Sequence, residues 1–166
     1  MSGYGDFHEP NDNPDSLPIG GLRIDFNNPP VSIDREYREM EFEHTLGIMC
    51  DEKGELLFYT NGDSIMNSRN ETIENSERFN IGDFWTQIRL SQAIVILPAP
   101  KQENEFYLFH EPRDEDGDIT NLYYSKVDMN ANRGSGKVTE KSILLLSDSL
   151  DAVSYTHLTL PTKRIV

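Results

Sequence analysis

Few residues in this chain of 166 have types and spacing that could do chemistry. His110-Glu111 opens like the HExxH pattern of zinc peptidases, which needs two histidines on one helical face. Pro112, Arg113 and Asp114 follow instead of a second histidine. His110 also closes an alternating strand pattern, so it reads as a structural histidine beside a loop. Asp114, Asp116 and Asp118 could hold calcium through carboxylate oxygens. The EF-hand order of ligands, with a glutamate at its twelfth position, is not met. The competing reading is a solvated hairpin loop. Trp85 with Phe84 could form a platform for a sugar; the competing reading is an aromatic pair pinning a long loop to a core. Cys50 falls on the apolar side of a strand pattern and reads as a small hydrophobe, not a nucleophile. GxSxG, P-loop and GxGxxG motifs are absent, so no catalytic or cofactor-binding residue is assigned.

The elements around these residues read as strands. Leu22, Ile24 and Phe26 alternate with Arg23 and Asp25, which predicts a short half-buried strand. Val31 and Ile33 begin another. Over Thr45–Thr60, the alternating Leu46, Ile48 and Cys50 lead through Asp51–Gly54 into Leu56–Thr60. Two β-rich runs joined by a short glycine-containing link predict a hairpin. Asn61-Gly62 marks a second turn. A polar, turn-rich stretch then runs to Asp83, with Phe79 as one of its anchors. Ala93–Leu97 is a continuous apolar strand. Phe106, Leu108 and His110 alternate with Tyr107 and Phe109, and Tyr123, Ser125 and Val127 alternate with Tyr124 and Lys126. At most one of Tyr123 and Tyr124 is therefore available to a ligand. A last strand is predicted over Lys137–Leu146.

Strand follows strand with little helix, so the expected class is all-β with antiparallel strands. A weak internal echo points further. Ile48 and Leu57-Phe58-Tyr59-Thr60 are matched, roughly 50 residues on, by Ile94 and Tyr107-Leu108-Phe109-His110, a period in the propeller range. The expectation is the first blades of an incomplete β-propeller over residues 22–152, preceded by a polar loop over residues 1–21.

Composition narrows the partners. The formal net charge is −14, which repels phosphate backbones and disfavours nucleic acid. A single cysteine permits no intrachain disulfide. No apolar run is long enough for a membrane-spanning helix, and Met1–Pro18 is polar and acidic, the reverse of a signal peptide. The end of the chain differs in kind. Val153–Thr162 reads VSYTHLTLPT and resembles one translated frame of a transposase adapter used in sequencing libraries. Residues 153–166 are basic and acid-free, and are expected to be adapter-derived. His157 and Tyr155 accordingly receive no functional weight.

The string CDEKGELLFYTNG (Cys50–Gly62) is similar to the N-terminal region of large secreted bacterial proteins that carry C-terminal type IX secretion sorting domains. SQAIVILPAP (Ser91–Pro100), FYLFHE (Phe106–Glu111), LYYSKVDMN (Leu122–Asn130) and GKVTEKSILLL (Gly136–Leu146) follow in that family's order. The resemblance spans about Gly20–Ala152. It implies a propeller exported to the cell surface or medium, preceded by a signal sequence and continued by further strands beyond Ala152. It carries over no catalytic residue.

Two functions remain open on the sequence. One is a non-enzymatic secreted or cell-surface module that binds a protein or glycan, or acts as a spacer, with the remainder of its own full-length chain as a further partner. The other is part of a propeller-fold hydrolase or lyase whose catalytic residues lie mostly in missing blades. No cofactor is implied beyond the calcium that the acidic loop could take.

Overall fold

A computed structural model describes residues 21–27, 29–36, 38, 40–80, 93–113 and 118–147. The chain divides into two compact units, Met1–Glu41 and Phe42–Val166. The described part is mostly β, with antiparallel sheets of two, three and four strands and one short helical turn. The expectations for residues 1–20, for Trp85 with Phe84, for Asp114 and Asp116, and for the segment 153–166 lie outside the described residues.

In the first unit, β1 (Gly21–Asp25) pairs with β2 (Ser32–Glu36), with Ile24 opposite Ile33. The alternation read from the sequence is present, but the expected half-burial is not. Leu22 is 67% exposed and Phe26 75%. Among the described residues of this unit the ribbon has no second layer over either face, so alternation alone does not bury its apolar side.

The second unit begins with a three-stranded meander of β3 (Gly47–Cys50), β4 (Leu56–Thr60) and β5 (Ile65–Asn67). The β3–β4 turn is built as predicted. The Gly54 amide donates to the Asp51 carbonyl, while the Asp51 side chain accepts from the amides of Lys53 and Glu55. At the next turn the Asn61 side-chain oxygen accepts from the amides of Asp63 and Ser64. These side-chain caps satisfy backbone donors that the ladder leaves behind.

A four-stranded meander follows: β6 (Ile94–Pro98), β7 (Glu105–His110), β8 (Asn121–Asp128) and β9 (Lys137–Ser147). A tight turn, α1 (Ala131–Gly134), joins β8 to β9, with Asn132 and Arg133 in the left-handed region.

The two meanders pack face to face. Phe58 and Ile65 from the first, and Phe106, Leu108, Val127 and Val138 from the second, form one core with Ile73 and Phe79 of the intervening chain. The rings of Phe58 and Phe106 meet edge to face at 5.3 Å. Each buried side chain of this size contributes roughly 1.5–3 kcal/mol. The approach is closest at Gly47, where a Cβ would lie 2.9 Å from Thr60 Cγ2 and 3.0 Å from Ile96 Cδ1.

A second seam runs through Thr72–Glu74. Thr72 bridges Met66 of β5, and Glu74 bridges Lys137 of β9. The Ile73 amide donates to the Ile65 carbonyl and the Val138 amide to the Glu74 carbonyl. Short as it is, this segment joins the two sheets by backbone hydrogen bonds.

The face of β3 is the reverse of the expectation. Leu46, Ile48 and Cys50 point outwards, with Ile48 54% exposed and Cys50 exposed, whereas Gly47 is buried and Met49 packs on the core. The apolar run marked the strand correctly and its buried side incorrectly, because a glycine carries no hydrophobic signal.

The internal echo also holds in a different register. Ile48 lies opposite Tyr59, and Tyr59 opposite Met66. Ile94 lies opposite His110, and His110 opposite Tyr123. Leu57-Phe58-Tyr59 therefore corresponds to Leu108-Phe109-His110, one residue away from the alignment that the sequence suggested. In a β-strand one residue exchanges the two faces.

Candidate functional site

The most organised polar cluster lies between the two sheets, around His110. Three elements build it: the end of β7 supplies His110, the middle of β8 supplies Ser125, and the chain after Phe79 supplies Asn80. Nδ1 of His110 is 2.9 Å from Asn80 Oδ1, and Nε2 is 3.0 Å from Ser125 Oγ. The Ser142 amide donates to Ser125 Oγ at 3.0 Å. An amide oxygen only accepts, so Nδ1 carries the proton; Nε2 then accepts from the Ser125 hydroxyl. Phe79 meets the imidazole edge to face at 5.0 Å, and Tyr123 stacks on it at 6.0 Å.

A serine, a histidine and an amide in this order resemble a nucleophile, its base and an orienting group. Access distinguishes them from a working triad: His110 and Ser125 are 0% exposed and Asn80 1%. Burial holds the imidazole neutral, lowering its pKa to about 4. A second lock sits beside it. The Ser142 hydroxyl donates to the Phe79 carbonyl, and Ser142 has a φ of +51° at an irregular stretch of the β8–β9 ladder. The cluster fastens β7, β8, β9 and the Phe79-Asn80 segment together.

Sequence reasoning gave His110 its structural place at a strand end. It missed Asn80 and Ser125 as partners, since both come from other elements and no local spacing marks them. Glu111, the neighbour in the peptidase-like dipeptide, is half-buried, and burial raises its carboxyl pKa. Among the described residues no group of three or more His, Cys, Asp or Glu side chains could hold a metal ion. Asp118 is exposed, and the loop residues expected to join it lie outside the described part.

The Cys50 thiol is pushed above its usual range, first by partial burial and then by the carboxylates of Asp51 and Glu55. That environment is the opposite of the electropositive surroundings that activate a nucleophilic cysteine.

A second feature is a surface. The face of β6–β9 turned away from the core carries a row of Val95, Phe109, Tyr124 and Ile143, each opposite the next across the ladder. Beside it runs Leu97, Tyr107, Lys126 and Glu140. Val95 and Ile143 are each 42% exposed and Leu97 50%. Tyr107 and Tyr124 meet edge to face at 5.7 Å. The Tyr124 hydroxyl donates to Glu140 at 2.6 Å, and Lys126 pairs with Glu105 at 2.5 Å, giving the apolar row a polar margin. As expected, the two neighbouring tyrosines part company: Tyr123 stacks on His110 in the interior, and Tyr124 belongs to this surface.

No protein-family model, curated protein or solved structure matches this chain.

Proposed function

We propose that the chain is part of a non-enzymatic, secreted or cell-surface binding or structural module of the β-propeller type. The observation that carries this reading is the packing of two successive antiparallel meanders face to face, with their first strands β3 and β6 adjacent. That is how neighbouring propeller blades meet. The strings from Cys50 to Leu146, which resemble exported type IX secretion cargo, support that location. The acidic charge argues for a protein or glycan ligand over nucleic acid.

The test is co-sedimentation of the purified chain with insoluble polysaccharides, combined with an assay for newly released reducing ends and unsaturated sugars. Retention without product release supports a binding module. Product release supports the hydrolase or lyase reading and overturns this one. Fractionation of the source cells, followed by antibody detection, tests the location; a signal confined to the cytosol contradicts it.

A further inference from the structure

We propose that Asn61-Gly62, at the turn between β4 and β5, is a latent deamidation site. The folded turn keeps it inert, and opening of the turn releases a reaction with water whose isoaspartate product cannot rebuild the turn. This is a property of one dipeptide and the hydrogen bonds around it, independent of any ligand.

Asn61-Gly62 is the single Asn-Gly pair in the chain. An asparagine loses its amide when the backbone nitrogen of the next residue attacks its side-chain carbonyl carbon. Glycine, with no Cβ, leaves that nitrogen open to the approach. The Gly62 nitrogen gives up its proton to water as its bond to Asn61 Cγ forms. The Cγ–Nδ2 bond breaks, and that nitrogen leaves as ammonia. Water then opens the cyclic imide. Addition at Cγ gives aspartate. Addition at the Asn61 backbone carbonyl gives isoaspartate, whose main chain runs through the side chain and is one carbon longer.

In the folded chain the reaction is held at its first step. Asn61 is 2% exposed and Gly62 is buried, so water has little access to the Gly62 proton. That N–H donates to the Thr60 hydroxyl at 3.1 Å, and the hydroxyl donates to the Ser64 carbonyl at 2.6 Å. The Gly62 proton has to leave this chain of bonds before the ring can close. The Asn61 side-chain oxygen accepts from the amides of Asp63 and Ser64 at 3.1 and 3.2 Å. Those donors polarise the carbonyl, which favours attack, but they also fix it in place, and removal of the proton is what the fold withholds. Once isoaspartate has formed, the oxygen that capped Asp63 and Ser64 belongs to the main chain, and the extra carbon displaces the residues that follow. The Asp63 carbonyl accepts from the Phe79 amide, so the damage reaches a residue of the core.

The experiment incubates the intact chain at one mildly alkaline pH, folded in buffer and unfolded in guanidinium chloride, and follows each asparagine by peptide mapping and mass spectrometry. In the denaturant Asn61 should lose its amide first, ahead of Asn67 and Asn75, each of which precedes a serine. In buffer its loss should be slower by about tenfold or more, which requires only about 1.4 kcal/mol against opening of the turn. Gly62→Ala, compared with wild type in the denaturant, where its folding does not matter, should react severalfold more slowly. After dilution from the denaturant, isoaspartate should collect in the chains that fail to regain resistance to protease. Equal rates in buffer and denaturant overturn the proposal, as does an unfolded Asn61 that reacts no faster than Asn67 and Asn75. A Gly62→Ala chain that reacts as fast as wild type overturns it too, since glycine is then not what makes the site reactive. Isoaspartate shared evenly between recovered and unrecovered chains shows that the turn accepts it, and overturns the claim that the turn cannot be rebuilt.

Discussion

Phe58 and Phe109 hold the same place in two successive sheets, each opposite an apolar residue of the preceding strand, Met49 and Val95 respectively. Phe58 is sealed against Phe106, and Phe109 lies half-buried on an open face. Two equivalent residues in unequal surroundings define both the core of the unit and its available surface.

The His110 cluster should dominate local stability. His110→Ala removes a buried ring and the partner of both Asn80 and Ser125, and should destabilise the unit by about 3–5 kcal/mol. Urea denaturation followed by tyrosine fluorescence measures this. A loss under 1 kcal/mol would mean that the cluster does not fasten β7–β9 to the Phe79-Asn80 segment.

The same histidine sets an acid limit. Its folded pKa is lowered from 6.5 to about 4, so between those values the unfolded chain binds the proton and the folded chain does not. Stability contributed by the neutral ring is complete above about pH 6.5, falls as pH drops towards 4, and levels off below it. The size is on the order of 3 kcal/mol. Comparing urea midpoints at pH 7.5 and pH 4.5 in wild type and in His110→Gln isolates this component; equal slopes in both proteins would contradict it.

Much of the strand layout was legible because alternation is strong where one face is buried. Phe106, Leu108 and His110 announced β7, and Asp51–Gly54 announced the β3–β4 hairpin. Burial in β3 was misread because the contact with β6 is made by Gly47, and closeness of backbones leaves no apolar signature. The exposure of Leu22 and Phe26 could not be read, since alternation gives a side and not the layer that covers it. The Asn80–His110–Ser125 cluster was hidden for a third reason: its members meet only after three elements have folded. The metal expectation for Asp114 and Asp116 and the sugar expectation for Trp85 fall outside the described residues.

Gly47 gives the close approach a direct test. Gly47→Ala sets a methyl group against Thr60 and Ile96, which should destabilise by about 1–3 kcal/mol through overpacking. An unchanged thermal midpoint would show that β3 and β6 are further apart than described.

Two glycines at the β8–β9 connection separate backbone strain from crowding. Gly134 and Gly136 have φ of +84° and +89°, but a Cβ at Gly134 meets nothing within 4 Å, whereas one at Gly136 lies 3.0 Å from Met129 Sδ. Gly134→Ala should lose about 1 kcal/mol, from the left-handed backbone alone. Gly136→Ala should lose more, and the reverse order in chemical denaturation would contradict the packing of Met129 and Ile73 there.

Cys50 should behave as an exposed but sluggish thiol. Its raised pKa keeps the thiolate scarce at neutral pH, so reaction with a disulfide reagent should be slower than that of free cysteine and should speed up when salt screens Asp51 and Glu55. Reaction faster than the free amino acid would indicate an activated thiol and reopen a catalytic role.

The most direct measurement is hydroxyl-radical footprinting, read by mass spectrometry at low and high protein concentration. Phe58 and Phe106 should resist oxidation at both. Tyr107, Phe109 and Tyr124 should be oxidised readily. If Phe58 is oxidised as readily as Phe109, the two sheets do not pack as described.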